Sequence, residues 1–337
     1  MRQLIISTIV LLAAAMSADA QEVFRLGIIG LDTSHCLRFS ELLNAADSDD
    51  PVVRKFEVVA AYPYGTTTIE SAAKRIPQYT EDIQKYGVKI MGSIQEVLDN
   101  VDGVFLETND GRLHLEQAVE IFKSGKKVFI DKPVGATLGE AIAIFRMAEK
   151  YGVKTFSSSS LRFSSKNQEF RAGKYGEVWG CDYFSPHNPE PTHPDFGYYG
   201  IHGIEGLYTI MGTGCQKVSR MHSSEGDIVI GCWEGGRLGT FRANIGGSYI
   251  YGGNVFFKKG RSEAVGGLEG YKCLIDAVLK FFETDELPVT PEETIEIFAF
   301  MKASNMSVER GGRYVTIAEA MKAGEKDARR LLRKYDR

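Results

Sequence analysis

Apolar strands and amphipathic helices alternate along the first half of the chain, and this rhythm narrows its fold more than any single motif does. The run FRLGIIG predicts a buried strand, a helix follows to about Asn44, and FEVVAAY predicts a second strand. Next come a helical stretch around Ile69 to Arg75, an isolated strand VKIM, and the helix SIQEVLDN. The strand VDGVFLET, the helix from His114 to Lys123 and the strand KKVFID complete the series. Strands interleaved with helices in this way pair in parallel and are covered on both faces, so an α/β class is expected. Ligands on such sheets bind beyond the carboxyl ends of the strands, which directs attention to the residues that follow each strand.

The texture changes after the helix that ends near Tyr151. The strand VKTFSSSS leads into a segment rich in Gly, Pro and aromatic residues, and from DIVIGCW onward successive strands are separated by glycine turns. We therefore expect a Rossmann-like dinucleotide-binding domain over residues 21–155. A second, α+β domain with an open, mostly antiparallel sheet should occupy residues 156–337. Its last helices are read in PEETIEIFAFMKASNMSVERGG and IAEAMKAGEKDARRLLRKY.

Residues 1–20 stand apart. Arg2, the apolar run LIISTIVLLAAAM and the small residues ending at Ala18-Asp19-Ala20 have the form of a secretory signal peptide. The run is shorter than the roughly 20 residues a membrane span needs. Export to the periplasm or the medium is expected, with no membrane anchor after the signal is removed. A net charge of -4 supplies no basic field, so nucleic acid is not an expected partner. The five cysteines are scattered without zinc-type spacing and read mainly as buried apolar residues, with one disulfide left open.

The first strand ends in IIGLDTSHC, where a dinucleotide-binding turn would read Gly-x-Gly-x-x-Gly. The three positions are Gly30, Asp32 and His35. Asp32 sets a carboxylate where the diphosphate normally lies; alternatively Asp32, Thr33 or Ser34 caps the following helix. The second strand ends in Tyr62-Pro63, without the carboxylate that usually accepts the ribose hydroxyls.

Several segments together resemble the glucose-fructose oxidoreductase, inositol dehydrogenase and rhizopine-catabolism family, Gfo/Idh/MocA. They are LGIIG, ETNDGRLHLEQAVEIFKSGKKVFIDKPVGATLGEAIAIFRMAEKYGV, SSSLRFS, WEGGRLGTFRAN and PVTPEETIEIFAFMKASNMSVERGGRYVTI. The resemblance implies a Rossmann domain carrying NAD or NADP, a sheet domain for substrate binding and oligomerisation, and redox chemistry at a hydroxyl of a sugar, glycoside or cyclitol. Asp131-Lys132-Pro133 matches the family's Glu-Lys-Pro, and Tyr198, Gly200, His202 and Glu205 fall on its Asp-x-Gly-x-His-x-x-Asp pattern.

The resemblance puts Lys132, His202 and Tyr198 at the chemistry. It puts Gly30, Asp32, Thr33, Ser34, His35, Thr108, Asn109 and Asp131 around the cofactor, and Arg162 and Glu205 on the substrate side. A lysine at a sheet mouth can hydrogen-bond a substrate hydroxyl and stabilise alkoxide character, unless it is only a solvated strand-end residue. A neutral imidazole at His202 can take the hydroxyl proton, unless it is only a satisfied interior histidine. Tyr198 keeps a hydrogen-bonding group where the family has a carboxylate, without the charge.

His187 and His193 lie on a proline-rich loop that leads to the His202 helix, a setting that often lines substrate pockets. With Asp195 they match no metal-ligand spacing, and no metal is expected. Two functions stay open: an NAD(P)-dependent oxidoreductase acting on a small carbohydrate, or a cofactor-free carbohydrate-binding protein, lyase or hydrolase using the same cleft. Alternating apolar residues on the second sheet predict a homo-oligomer through that face.

Overall fold

The computed structural model describes residues 23–45, 48–246 and 250–335; residues 1–20, where a signal peptide is expected, and the Asp195 side chain lie outside the described residues. Six strands form the first sheet: β1 (Phe24–Ile29), β2 (Phe56–Tyr62), β3 (Lys89–Ile90), β4 (Gly103–Leu106), β5 (Lys127–Ile130) and β6 (Thr155–Phe156). All are parallel, in the order β3-β2-β1-β4-β5-β6. The order reverses between β1 and β4, which makes their carboxyl ends the switch point where such sheets open a crevice.

The connecting helices are α1 (His35–Leu43), α2 (Glu70–Ala73), α3 (Ile76–Ile83), α4 (Ile94–Leu98), α5 (Gly111–Lys123) and α6 (Leu138–Lys150). The stretch read as one helix at 69–75 is the short α2, and α3, whose second residue is Pro77, follows it. Helix α5 starts three residues before the expected His114 because Asp110 caps it, accepting from the Arg112 amide.

The second half begins with α7 (Ser165–Arg171), β7 (Val178–Pro186) and α8 (Ile201–Met211). It continues through β8 (Cys215–Ser223), β9 (Gly226–Trp233), β10 (Leu238–Asn244), β11 (Gly252–Phe257) and β12 (Ser262–Ala264). The chain then forms α9 (Lys272–Thr284), α10 (Pro291–Glu309), β13 (Val315–Thr316) and α11 (Ile317–Leu332). The seven-stranded sheet runs β12-β11-β7-β10-β9-β8-β13. Its pairings are antiparallel except β7 with β10, which matches the mostly antiparallel sheet expected. One face packs on α8 and α10, while Trp179, Met221, Leu238 and Phe256 stand exposed.

The two domains do not separate as a single cut in the sequence suggests. Leu26, Ile28, Val58, Phe105, Phe129 and Phe156 share one buried cluster with α1 and with Leu274, Ile275, Val278, Leu279, Phe281 and Phe282 of α9. The Phe282 ring packs on Phe24 and Phe105 at centroid distances of 5.6 and 5.7 Å. Each fully buried side chain of this kind contributes about 1.5–3 kcal/mol. A helix from the second half therefore completes the core around the first sheet. All five cysteines are free, and no helix among the described residues is long and apolar enough to cross a membrane.

Candidate functional site

A cleft of about 530 Å³ opens beyond the carboxyl ends of β1, β4 and β5. Thr33, Ser34 and His35 of the β1–α1 turn line it, with Arg75, Tyr79, Asn109 and Lys132 from the same domain. Ser160 and Leu161, Tyr198, Tyr199 and His202 at the start of α8, and Tyr251, Leu268 and Tyr271 close the other side.

The turn after β1 keeps the first glycine of the fingerprint for a clear reason. Gly30 has φ +101°, and a Cβ there would lie 2.4 Å from the Thr108 amide nitrogen. Asp32, at the second glycine position, is fully buried. Its two oxygens accept the Thr66 and Asn109 amides at 2.9 and 2.8 Å. The carboxylate therefore points away from the α1 terminus and neither caps it nor faces the cleft, contrary to the expectation that it sits in the diphosphate position. Burial pushes its pKa up to about 6, against the pull of those two amides. Ser34 holds the N-cap position of α1 without a side-chain cap bond.

His35, at the third glycine position, turns inward, with Nδ1 2.8 Å from Asp131 Oδ2 and 3.8 Å from Glu107 Oε2. The ring stacks on Phe39 and meets the Tyr271 ring edge-on. Burial and then the charge of Asp131 push the Glu107 carboxyl well up. Burial opposes ionisation of Asp131 too, but His35 and Lys132 prevail and hold it low. Asp131 is thus part of the floor rather than the lining.

Lys132 follows Asp131 into the cleft, joined to Pro133 by a cis peptide bond. Across from it, His202 shares a 2.8 Å hydrogen bond between Nδ1 and Ser159 Oγ. Burial, then the nearby charge of Lys132, pull the His202 pKa well down, so the imidazole is neutral near pH 7. Tyr198 accepts a 2.7 Å hydrogen bond from Asn109 Nδ2, and burial raises its phenol pKa. A neutral base, an ammonium and a phenol thus converge on one cleft.

Other expected residues lie elsewhere. Thr108 is buried and accepts at Oγ1 from Gln117. Arg162 is buried in an ion-pair triad, 2.7 Å from both Glu205 and Glu293. Burial opposes ionisation of Glu293, but Arg162 and Arg171 keep it low. Glu205 also accepts from the Ser158 hydroxyl and the Ser159 amide. Arg162 and Glu205 are therefore interior groups supporting the segment that carries Ser159, not substrate contacts.

His187 packs its ring on Phe196 behind the cleft. His193, 5.3 Å from the Tyr198 ring, stands 3.5 Å from Asp110. The sequence reading missed Glu107, Arg75, Tyr79, Tyr199, Tyr251 and Tyr271. Of these, Glu107 alone carried a local signal, an acid ending an otherwise apolar buried strand.

Residues 24–159 match the family model GFO_IDH_MocA, described as an oxidoreductase family with an NAD-binding Rossmann fold. A curated relative, 4-carboxy-2-hydroxymuconate-6-semialdehyde dehydrogenase of a Sphingobium species, is 28% identical over 107 residues, 31% of this chain. The match spans only 34% of that relative. A putative myo-inositol dehydrogenase from Sinorhizobium meliloti superposes with TM-score 0.70 at 17% identity, covering 88% of this chain and 100% of that one. The Lactobacillus casei myo-inositol dehydrogenase in complex with NAD(H) and myo-inositol gives TM-score 0.67 at 14% identity, covering 87% of this chain and 96% of that one. At these identities the structural likeness is one of fold.

Proposed function

We propose that this chain, whose residues 24–159 match the Gfo/Idh/MocA oxidoreductase family model, is a member of that family and an NAD(H)-dependent oxidoreductase acting on a hydroxyl of a sugar or cyclitol. The observation that carries this reading is Lys132 opposite a neutral His202 in a cleft at the sheet's switch point. The L. casei relative, of like fold, is a myo-inositol dehydrogenase in complex with NAD(H) and myo-inositol, which supports both the substrate class and the cofactor.

The residues present fit a dinucleotide at its diphosphate and nicotinamide ends. Asp32 is turned onto two amides, so the first turn of α1 faces the cleft without a carboxylate in front of it, and the Arg75 guanidinium lines the same wall. Thr33, Ser34 and Arg75 would hold the diphosphate, with Asn109 nearby. The bound nicotinamide's contribution would be to accept or return hydride at the carbinol carbon.

The chain's own residues handle the proton. Lys132 donates a hydrogen bond to the substrate hydroxyl and stabilises oxyanion character as the carbon is oxidised. His202 accepts the hydroxyl proton, with its ring orientation held by Ser159. Tyr198, Tyr199 and Tyr251 supply hydrogen-bonding and stacking walls suited to a polyol.

We extend the reading to export, on the sequence of residues 1–20, and to self-association through the exposed apolar residues of the second sheet. Light scattering on the mature chain reads the oligomer. The primary test is to denature purified mature protein and assay NAD(H) and NADP(H) by mass spectrometry, with calorimetric titration of stripped protein. Bound or titratable nucleotide, together with loss of polyol-dependent turnover in a Lys132→Ala variant that still binds it, supports the reading. A folded protein with neither bound nucleotide nor affinity for it overturns the reading and favours a cofactor-free site.

A further inference from the structure

His35, Glu107 and Asp131 come from three neighbouring strand ends. Leu106 and Ile130 are register partners in the β4–β5 ladder, so the residues that follow them, Glu107 and Asp131, emerge side by side. β1 is the other neighbour of β4, and its turn brings His35 over the same point. We propose that these three side chains bind a single divalent first-row metal ion beneath the cleft floor.

The geometry is that of a ligand set. One ligand atom from each residue lies within 4.8 Å of the other two, and the measured His35 distances are 2.8 and 3.8 Å. Ligand atoms about 2.0–2.2 Å from a common ion are separated by roughly 3–4 Å, so small side-chain adjustments seat one ion among them. No other group of three such side chains occurs among the described residues.

The polar accounting points the same way. Glu107 is fully buried, and neither of its oxygens accepts a hydrogen bond; Asp131 Oδ1 is likewise without a hydrogen-bond partner, while His35 Nδ1 is held by Asp131 Oδ2 at 2.8 Å. A buried carboxylate without donors costs several kcal/mol unless a proton or cation compensates it. A proton on Glu107 would satisfy one oxygen and leave the rest of the group as it is. One divalent ion satisfies atoms of all three residues and balances the two carboxylate charges.

The donor set also selects the ion. One imidazole and two carboxylates suit Zn²⁺, Mn²⁺, Fe²⁺ or Co²⁺, whereas Ca²⁺ takes six to eight oxygens. The site is reached past His35, which itself lines the cleft. An ion there would fix Asp131, and so the backbone that carries Lys132, giving it a positioning role. This inference is independent of the proposed redox chemistry, because ion binding is read without substrate or nucleotide.

The test uses the mature chain, stripped with chelator and titrated with Co²⁺, Mn²⁺ and Zn²⁺. Cobalt d–d absorbance and calorimetry read the site, and circular dichroism verifies the fold. One equivalent per chain is expected in the wild type, with affinity lowered by roughly tenfold or more in Glu107→Gln and Asp131→Asn. A folded wild type that binds none of the three ions overturns the proposal. So does a folded Glu107→Gln protein with undiminished affinity. Should that variant fail to fold, Asp131→Asn and the wild-type titration decide.

Discussion

Replacing Arg162 by Met removes the only cation among the described residues that touches both Glu205 and Glu293, and the structure says where the cost falls. Glu293 keeps Arg171, whose Nη1 and Nη2 donate at 3.0 and 2.7 Å. Glu205 keeps only the Ser158 hydroxyl and the Ser159 amide, and would be left a buried charge without a counterion. Breaking a buried pair by removing one partner costs about 3–5 kcal/mol. Most of that loss should trace to Glu205, so adding Glu205→Gln to Arg162→Met should recover about 1–3 kcal/mol by removing the stranded charge. Urea unfolding followed by the fluorescence of Trp179 and Trp233, both in the second sheet, reads the effect. At temperatures where the variant stays folded, KM should be unchanged. A loss below about 1 kcal/mol accompanied by a raised KM would refute the structural reading and return Arg162 to the substrate.

Further outcomes follow from individual groups. The folded-state pKa of Asp32, about 6, lies above its unfolded value of 3.8, so its contribution to stability is fully present below about pH 4 and is lost as pH rises through 6. The loss reaches about 3 kcal/mol at most. Stability measured at pH 4 and pH 7.5 should fall by less in Asp32→Ser than in the wild type, and parallel pH profiles would count against the assignment. Gly30→Ala forces a Cβ against the Thr108 amide at positive φ and should cost about 2 kcal/mol or more, measured by denaturation. Phe282→Ala should cost about 3–5 kcal/mol, and residues 21–155 expressed alone should show no cooperative unfolding; a cooperative transition in that fragment would contradict the packing of α9. His202→Asn should lower kcat while leaving nucleotide affinity within about twofold, which steady-state kinetics and calorimetry check.

The architecture was legible because the apolar period is a local property. Strand runs such as FRLGIIG and KKVFID and the glycine turns of the second half mark their elements without knowledge of partners. Where they point across space was not legible. Asp32 reads as an obstacle to a diphosphate until the loop holding Thr66 comes within hydrogen-bonding distance, a contact set by residues 34 positions away. Arg162 and Glu205 look like site residues because they flank site residues, yet Glu293, 131 positions from Arg162, fixes the arginine in the interior. Lys132 and Asn109 were readable because each follows a strand at the first sheet's carboxyl edge, whereas Tyr198 and His202 were reached through the family pattern at the start of α8. Helix α9 was not singled out in the sequence, and nothing local to its apolar stripe says which sheet it covers.

The excursion of the chain through the second sheet before α9 returns has a consequence for synthesis. One apolar face of the first sheet is covered only in part, by α1, until α9, which ends at Thr284, has been made, although the last strand ends at Phe156. About 130 residues are made in that interval, several seconds at ordinary elongation rates. The nascent protein therefore passes through a stage in which a half-covered sheet must be shielded by other means, and neither half reaches its final form before the other is nearly complete.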